Sequence, residues 1–133
     1  MNQKHLDLAK QFNAFAFELV SKEKTAKKNL ESLENDILFR RVIFNKYYYA
    51  LYHKYLANDD DLSKKTGSSK HDAIKQKIES CGDAKLLQVY SKLLNLRIWA
   101  DYHTDNNPMA LSIGLQEINA DVWSIIKRSS INC

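Results

Sequence analysis

Two side chains six positions apart, Arg97 and His103, bracket the segment Arg97-Ile98-Trp99-Ala100-Asp101-Tyr102-His103 and offer the chemistry of phosphate handling. A guanidinium grips phosphoryl oxygens through paired donors, and an imidazole with an ordinary pKa of about 6.5 gives and takes protons near neutrality. RNA carries its own nucleophile, the 2′-hydroxyl, so an arginine and a histidine suffice to cut it without a metal or any other cofactor. The same residues have a plainer reading. Arg97 pairs with Asp101 one turn later and His103 ends the helix, where a positive ring suits the dipole; residue types alone favour this second reading.

On one straight α-helix, six positions turn roughly 240° and rise about 9 Å, so a single Arg97 and its own His103 do not converge on one phosphate. Two copies of the helix meeting across a two-fold axis bring each arginine toward the partner's histidine, which makes a homodimer a requirement of the nuclease reading. Other candidates are weaker. The cluster Tyr47-Tyr48-Tyr49, Tyr52 and Tyr55 beside Lys46 and Lys54 suits base stacking with phosphate contacts, Tyr48 and Lys46 above all, but the helical spacing of Tyr48, Tyr52 and Tyr55 favours core packing. His53 and His71 share no metal-binding spacing with His103 or Asp101. Lys64, Lys65, Lys70, Lys75 and Lys77 would steer RNA or simply be solvated, the commoner use of such lysines. No Gly-rich phosphate loop and no GxSxG elbow is present, which leaves an ATPase, a dinucleotide-dependent dehydrogenase and an α/β-hydrolase without support.

The elements that must position these residues read as helices. Leu8, Phe12, Phe15 and Leu19 form the stripe of a first helix, with a soft break expected over Ser21 to Lys28. The second and longest runs Leu30, Leu33, Ile37, Arg41, Phe44, Tyr48, Leu51, Tyr55; Arg41, with Arg40 beside it, interrupts that apolar stripe and needs a carboxylate, a phosphate or water. After a polar connection from Asn58 to Ser69, Ser69 and Asp72 resemble a capping box opening a short helix that Gly82 closes. A fourth helix spans about Ala84 to Tyr102, with Leu87, Tyr90, Leu94, Arg97 and Asp101 on one stripe and Leu86, Val89, Leu93, Leu96 and Ala100 on the next. Asn107 and Pro108 open the last, with Leu111, Leu115, Ile118, Val122 and Ile125 inward and Trp123 widening the apolar face. The expected fold is all-α: an antiparallel up-and-down bundle of four main helices plus one short helix, in one domain over residues 1–133.

Composition agrees with this. The 133 residues are 44% hydrophobic and 27% charged with three Gly and one Pro, too few turn formers for a sandwich or barrel. The net charge of +4 permits a nucleic-acid partner without requiring one. No apolar run approaches the roughly 20 residues of a membrane span, and the N-terminus lacks the apolar core of a signal peptide. Cys81 and Cys133, 52 residues apart, show neither a metal spacing nor a disulfide framework, so a reducing cytoplasm is the expected location.

Three segments in order resemble the HEPN domain family. Arg40-Arg41-Val42-Ile43-Phe44-Asn45-Lys46-Tyr47-Tyr48-Tyr49-Ala50-Leu51-Tyr52-His53 is similar to its second-helix signature, Lys70-His71-Asp72-Ala73-Ile74 to its His-containing short helix, and Leu93-Leu94-Asn95-Leu96-Arg97-Ile98-Trp99-Ala100-Asp101-Tyr102 to its later Leu-x-x-x-Arg-x-x-Ala-Asp-Tyr segment. The resemblance implies a dimerising helical bundle of toxin–antitoxin or phage-defence type, often encoded beside a nucleotidyltransferase. It implies a metal-independent endoribonuclease whose dimer cleft uses Arg97 and His103 as the catalytic pair, with Asp101, Arg41 and Tyr102 in support and Lys46 and Tyr48 on the RNA. It also implies an alternative, a catalytically inactive HEPN protein that binds a nucleotidyltransferase, an antitoxin or another protein. Ile98 bears on that alternative, because the family's catalytic arginine is usually followed by Asn, Asp or His.

Overall fold

The computed structural model describes residues 3–29, 33–64, 69–105, 107–131 and 133. Its helices are α1 (Gln3–Asn29), α2 (Leu33–Ala57), α3 (Asp60–Lys64), α4 (Ser69–Ser80), α5 (Ala84–Tyr102), α6 (Pro108–Ser112) and α7 (Leu115–Ile126). The fold is an all-α bundle, and no strand occurs among the described residues. Leu30 and Lys65, and the side chains of Leu19, Leu33 and Ser69, lie outside the described residues.

α2 is the axis of the bundle. Phe44, Tyr48, Leu51 and Tyr55 of its expected stripe are buried, but so are Ile43, Tyr47, Ala50 and Leu56, so the helix is covered nearly all round by α1, α5 and α7. Residue pairs fix the directions: His5 meets His53 and Phe12 meets Tyr49, so α1 runs against α2. Tyr90 meets Tyr48 and Asp101 meets Asn45, so α5 also runs against α2. Lys85 and Lys92 of α5 reach Asp121 and Glu117 of α7 in reverse order.

Several sequence expectations change. α1 continues through Ser21 to Lys28 as far as Asn29, because that stretch holds no Gly or Pro and is rich in the helix formers Lys, Glu and Ala. Its inward face is Ala9, Asn13 and Ala16, while Leu8 and Phe15 are exposed and Phe12 is only half-buried. Alanines let the α1 backbone approach α2 closely, and close approach won over the larger side chains. A one-turn helix, α3, forms where a plain connection was expected, capped by the Asp59 carboxylate accepting from the Leu62 N–H. Gly82 adopts φ of 82° after α4, the left-handed turn predicted for it. The final helix is broken in two at Ile113–Gly114, although Asn107 does cap α6 through its side chain, accepting from Met109 N and Ala110 N.

Cys81 and Cys133 are bonded as a disulfide, with Cα atoms 5.0 Å apart, which corrects the reading of two unrelated cysteines. Spacing along the chain did not reveal that the segment after α7 folds back beside the α4–α5 turn. Arg128 holding Asp83 and the Ile131 N–H donating to Asn58 Oδ1 fix that return. No helix among the described residues is long and apolar enough to cross a membrane.

Candidate functional site

Arg41, which interrupts the α2 stripe, and Arg40 beside it are both held by backbone carbonyls. Arg41 Nη1 donates to the carbonyls of Trp99 and Ala100 at 2.9 and 2.8 Å, and its guanidinium lies 4.1 Å from the centre of the Trp99 ring. It caps the last turn of α5, where helix carbonyls have no partner of their own. Arg40 does the same for the next element, donating to Ala110 O and Ile113 O around the end of α6. In place of the carboxylate, phosphate or water expected for it, Arg41 finds two backbone carbonyls of α5.

Arg97 projects from α5 toward α2. Its Nε donates to Asp101 Oδ2 at 3.0 Å and an Nη to the Tyr49 hydroxyl at 3.3 Å, and the guanidinium sits 5.3 to 5.7 Å from the ring centres of Tyr48, Tyr49 and Tyr102. Burial works against its charge, yet Tyr49, Tyr102 and Asp101 outweigh it and its pKa is raised. Asn45 Nδ2 donates to both Asp101 oxygens at 3.3 Å, so the carboxylate bridges α5 to α2. His103 follows the last residue of α5. Its backbone N–H closes α5 on Trp99 O, and its half-exposed ring approaches the Asp105 carboxylate at 3.6 Å. Within one chain the two residues have different partners, Asp101 and Tyr49 for Arg97 and Asp105 for His103.

Tyr48 is fully buried, so its ring cannot receive a base. Its hydroxyl shares hydrogen bonds with His71 Nδ1 at 2.6 Å and the Tyr90 hydroxyl at 3.1 Å, and burial raises its pKa far above the phenolic range while Tyr90 is pushed up to about 12. Lys46 lies over the Phe12 ring at 5.3 Å, on the α1 side of α2 and away from His103. Tyr102 is largely exposed at the end of α5.

Sequence reasoning missed the histidine–aromatic layer behind Arg97. His5 and His53 share an Nδ1–Nδ1 hydrogen bond of 2.7 Å, with stacked rings, and Phe12 stacks on the other side of His53. His71 stacks on Tyr52, which meets His53 edge-on. Burial lowers the pKa of all three histidines, that of His53 to about 4, with Lys70 adding to the effect at His5 and His53 and Arg97 at His71. A neutral pair fits the bond between His5 and His53, since one ring must donate and the other accept. The Tyr49, Tyr52 and His53 spacing on α2 carried part of this signal; His5, 48 residues away, carried none. No group of three His, Cys, Asp or Glu among the described residues is placed to hold a metal.

Around the end of α5 the surface is unusually apolar. Leu38 and Val42 of α2 and Ile98 and Tyr102 of α5 are exposed, on helix edges tied together by Asn45 and Asp101. Comparison with protein-family models, with curated proteins and with solved structures finds no match to this chain.

Proposed function

We propose that the chain is a HEPN-type, metal-independent endoribonuclease that works as a homodimer. The observation that carries the reading is the half-exposed His103 imidazole, at the C-terminal cap of the helix that bears Arg97 and next in the chain to Tyr102, which with Leu38, Val42 and Ile98 is exposed. In the dimer each His103 takes the proton of an RNA 2′-hydroxyl. The new bond from O2′ to phosphorus forms as the bond to O5′ breaks, leaving a 2′,3′-cyclic phosphate and, after protonation, a free 5′-hydroxyl. Arg97 of the other copy neutralises charge on the phosphoryl oxygens with the donors that Asp101 and Tyr49 leave over. Asp101 and Asn45 hold the arginine's helix against α2, and Arg41 stiffens the turn from which His103 projects. A toxin–antitoxin or defence role follows from the family resemblance alone. The test is cleavage of total RNA in EDTA by wild type and by His103→Ala at matched oligomeric state.

A second reading is favoured by a specific observation: Arg41, Arg97 and Asp101 all have partners within the chain. In this reading they form a structural network, and the same apolar face receives a nucleotidyltransferase, an antitoxin or another protein. A folded dimer that leaves RNA intact would select it.

A further inference from the structure

α1, α2 and the end of α7 line an open pocket of about 600 Å³ whose walls include Lys10, Asn13, Lys54, Trp123, Lys127 and Arg128. All the charged side chains among the described residues lining it are basic. Arg128 is paired with Asp83 at 2.6 Å, which leaves Lys10, Lys54 and Lys127 lining one space with no carboxylate among its described lining residues. Like charges crowded in this way repel, and an anion between them removes the repulsion.

The rim of the pocket is exposed, but its floor, with Asn13, Lys54 and Ile126, is buried. Lys54 is only 2% exposed, and its Nζ donates to the Arg128 carbonyl, which occupies one of three ammonium donors. Burial, reinforced by Lys10, lowers its pKa, consistent with a cation held in a poorly solvated place near another. Asn13 is 8% exposed, and its Oδ1 has no hydrogen-bond partner in the structure. Such atoms are rare in folded proteins; this one is an acceptor, so it calls for a donor on whatever occupies the space and does not itself hold an anionic head, and Asn13 also lines a neighbouring pocket of about 380 Å³. Trp123, 50% exposed, lines both, with Leu6, Ala14 and Ile126 completing the apolar lining of the larger one. Sequence periodicity gives Trp123 to the core; its position here leaves one face for something else.

We propose that this pocket binds a small organic anion, with its carboxylate or phosphate head held by Lys10, Lys54 and Lys127 and a flat aromatic body against Trp123. The inference does not depend on the ribonuclease reading, since it uses neither the Arg97 nor the His103 face. Calorimetric titration of the purified chain near neutral pH with 2-naphthoate, 2-naphthyl phosphate, the neutral 2-naphthol and inorganic phosphate tests it. At least one naphthyl anion is expected to bind about tenfold more tightly than either 2-naphthol or inorganic phosphate. Whichever binds better distinguishes a carboxylate site from a phosphate site. Lys10→Gln and Lys127→Gln should each weaken that binding several-fold and Trp123→Ala should weaken it further, whereas Lys85→Gln, whose lysine pairs with Asp121 elsewhere, should leave it unchanged. Circular dichroism confirms that each variant is folded. Equal binding of 2-naphthol, equal binding of inorganic phosphate, indifference to Lys10→Gln and Lys127→Gln, or no binding by any probe would overturn the proposal.

Discussion

Arg41 shows how much one side chain organises. Its guanidinium serves two orphan carbonyls at the end of α5 and lies on Trp99, whose own Nε1 donates to Asp105 O and holds the segment after the helix. Arg41→Ala leaves those carbonyls without their donor and is expected to cost about 2–3 kcal/mol in urea unfolding. Arg41→Lys should recover only part of this, because an ammonium cannot both fork between carbonyls and stack on the indole. The His5–His53 pair makes a second prediction at this scale. Both rings have depressed pKa values, so between the ordinary value of 6.5 and about 4 the unfolded chain binds protons that the folded chain refuses. Stability from His53 is therefore complete above pH 6.5 and falls as the pH drops toward 4. Solvent screening of a half-buried ring trims the loss to about 2 kcal/mol. Urea midpoints measured across this range should fall with acid in wild type and fall less in His53→Phe; a flat wild-type profile would contradict the buried neutral pair.

At the scale of elements, the sequence carried α2, α4 and α5 well because their signals are local: apolar spacing for the long helices and Gly82 at the close of α4; Asn107 likewise marked the start of α6, whereas the Asp83 cap of α5 emerged only in the structure. Gly82→Ala should cost about 1 kcal/mol, and entirely through the backbone, since nothing lies within 4 Å of where its Cβ would stand. Asn107→Ala, which removes bonds to two first-turn N–H groups, should cost a similar amount, about 1 kcal/mol, and Asn107→Asp should not. Thermal unfolding separates these cases. What periodicity could not carry was which face of α1 turns inward. Leu8, Phe12 and Phe15 outweigh Ala9 and Ala16 in any hydrophobicity count, but the contact with α2 is set by how near the two backbones come. The break at Gly114 was equally hidden, because Leu111 and Leu115 keep helical spacing across it.

For the whole molecule, the legible part of the candidate site was its residue list and the illegible part was who holds whom. Arg97 and Asp101 one turn apart are a local pair and could be read in advance; Asn45 to Asp101, Tyr49 to Arg97 and the Cys81–Cys133 bridge depend on distant segments meeting. The bundle leaves Leu38, Val42, Ile98 and Tyr102 on one surface, and a two-fold contact there would unite the Arg97 and His103 of opposite copies. Sedimentation should accordingly give twice the 15.4 kDa chain mass, and Val42→Glu should give the monomer with its helicity intact. The central claim is that this surface assembles a metal-free ribonuclease. It is tested most directly by incubating total RNA with the wild-type dimer and with dimeric His103→Ala in EDTA and examining the new ends. Cleavage by wild type alone, leaving 2′,3′-cyclic phosphates, is the predicted result. Intact RNA from a folded wild-type dimer, or equal cleavage by the variant, would contradict it.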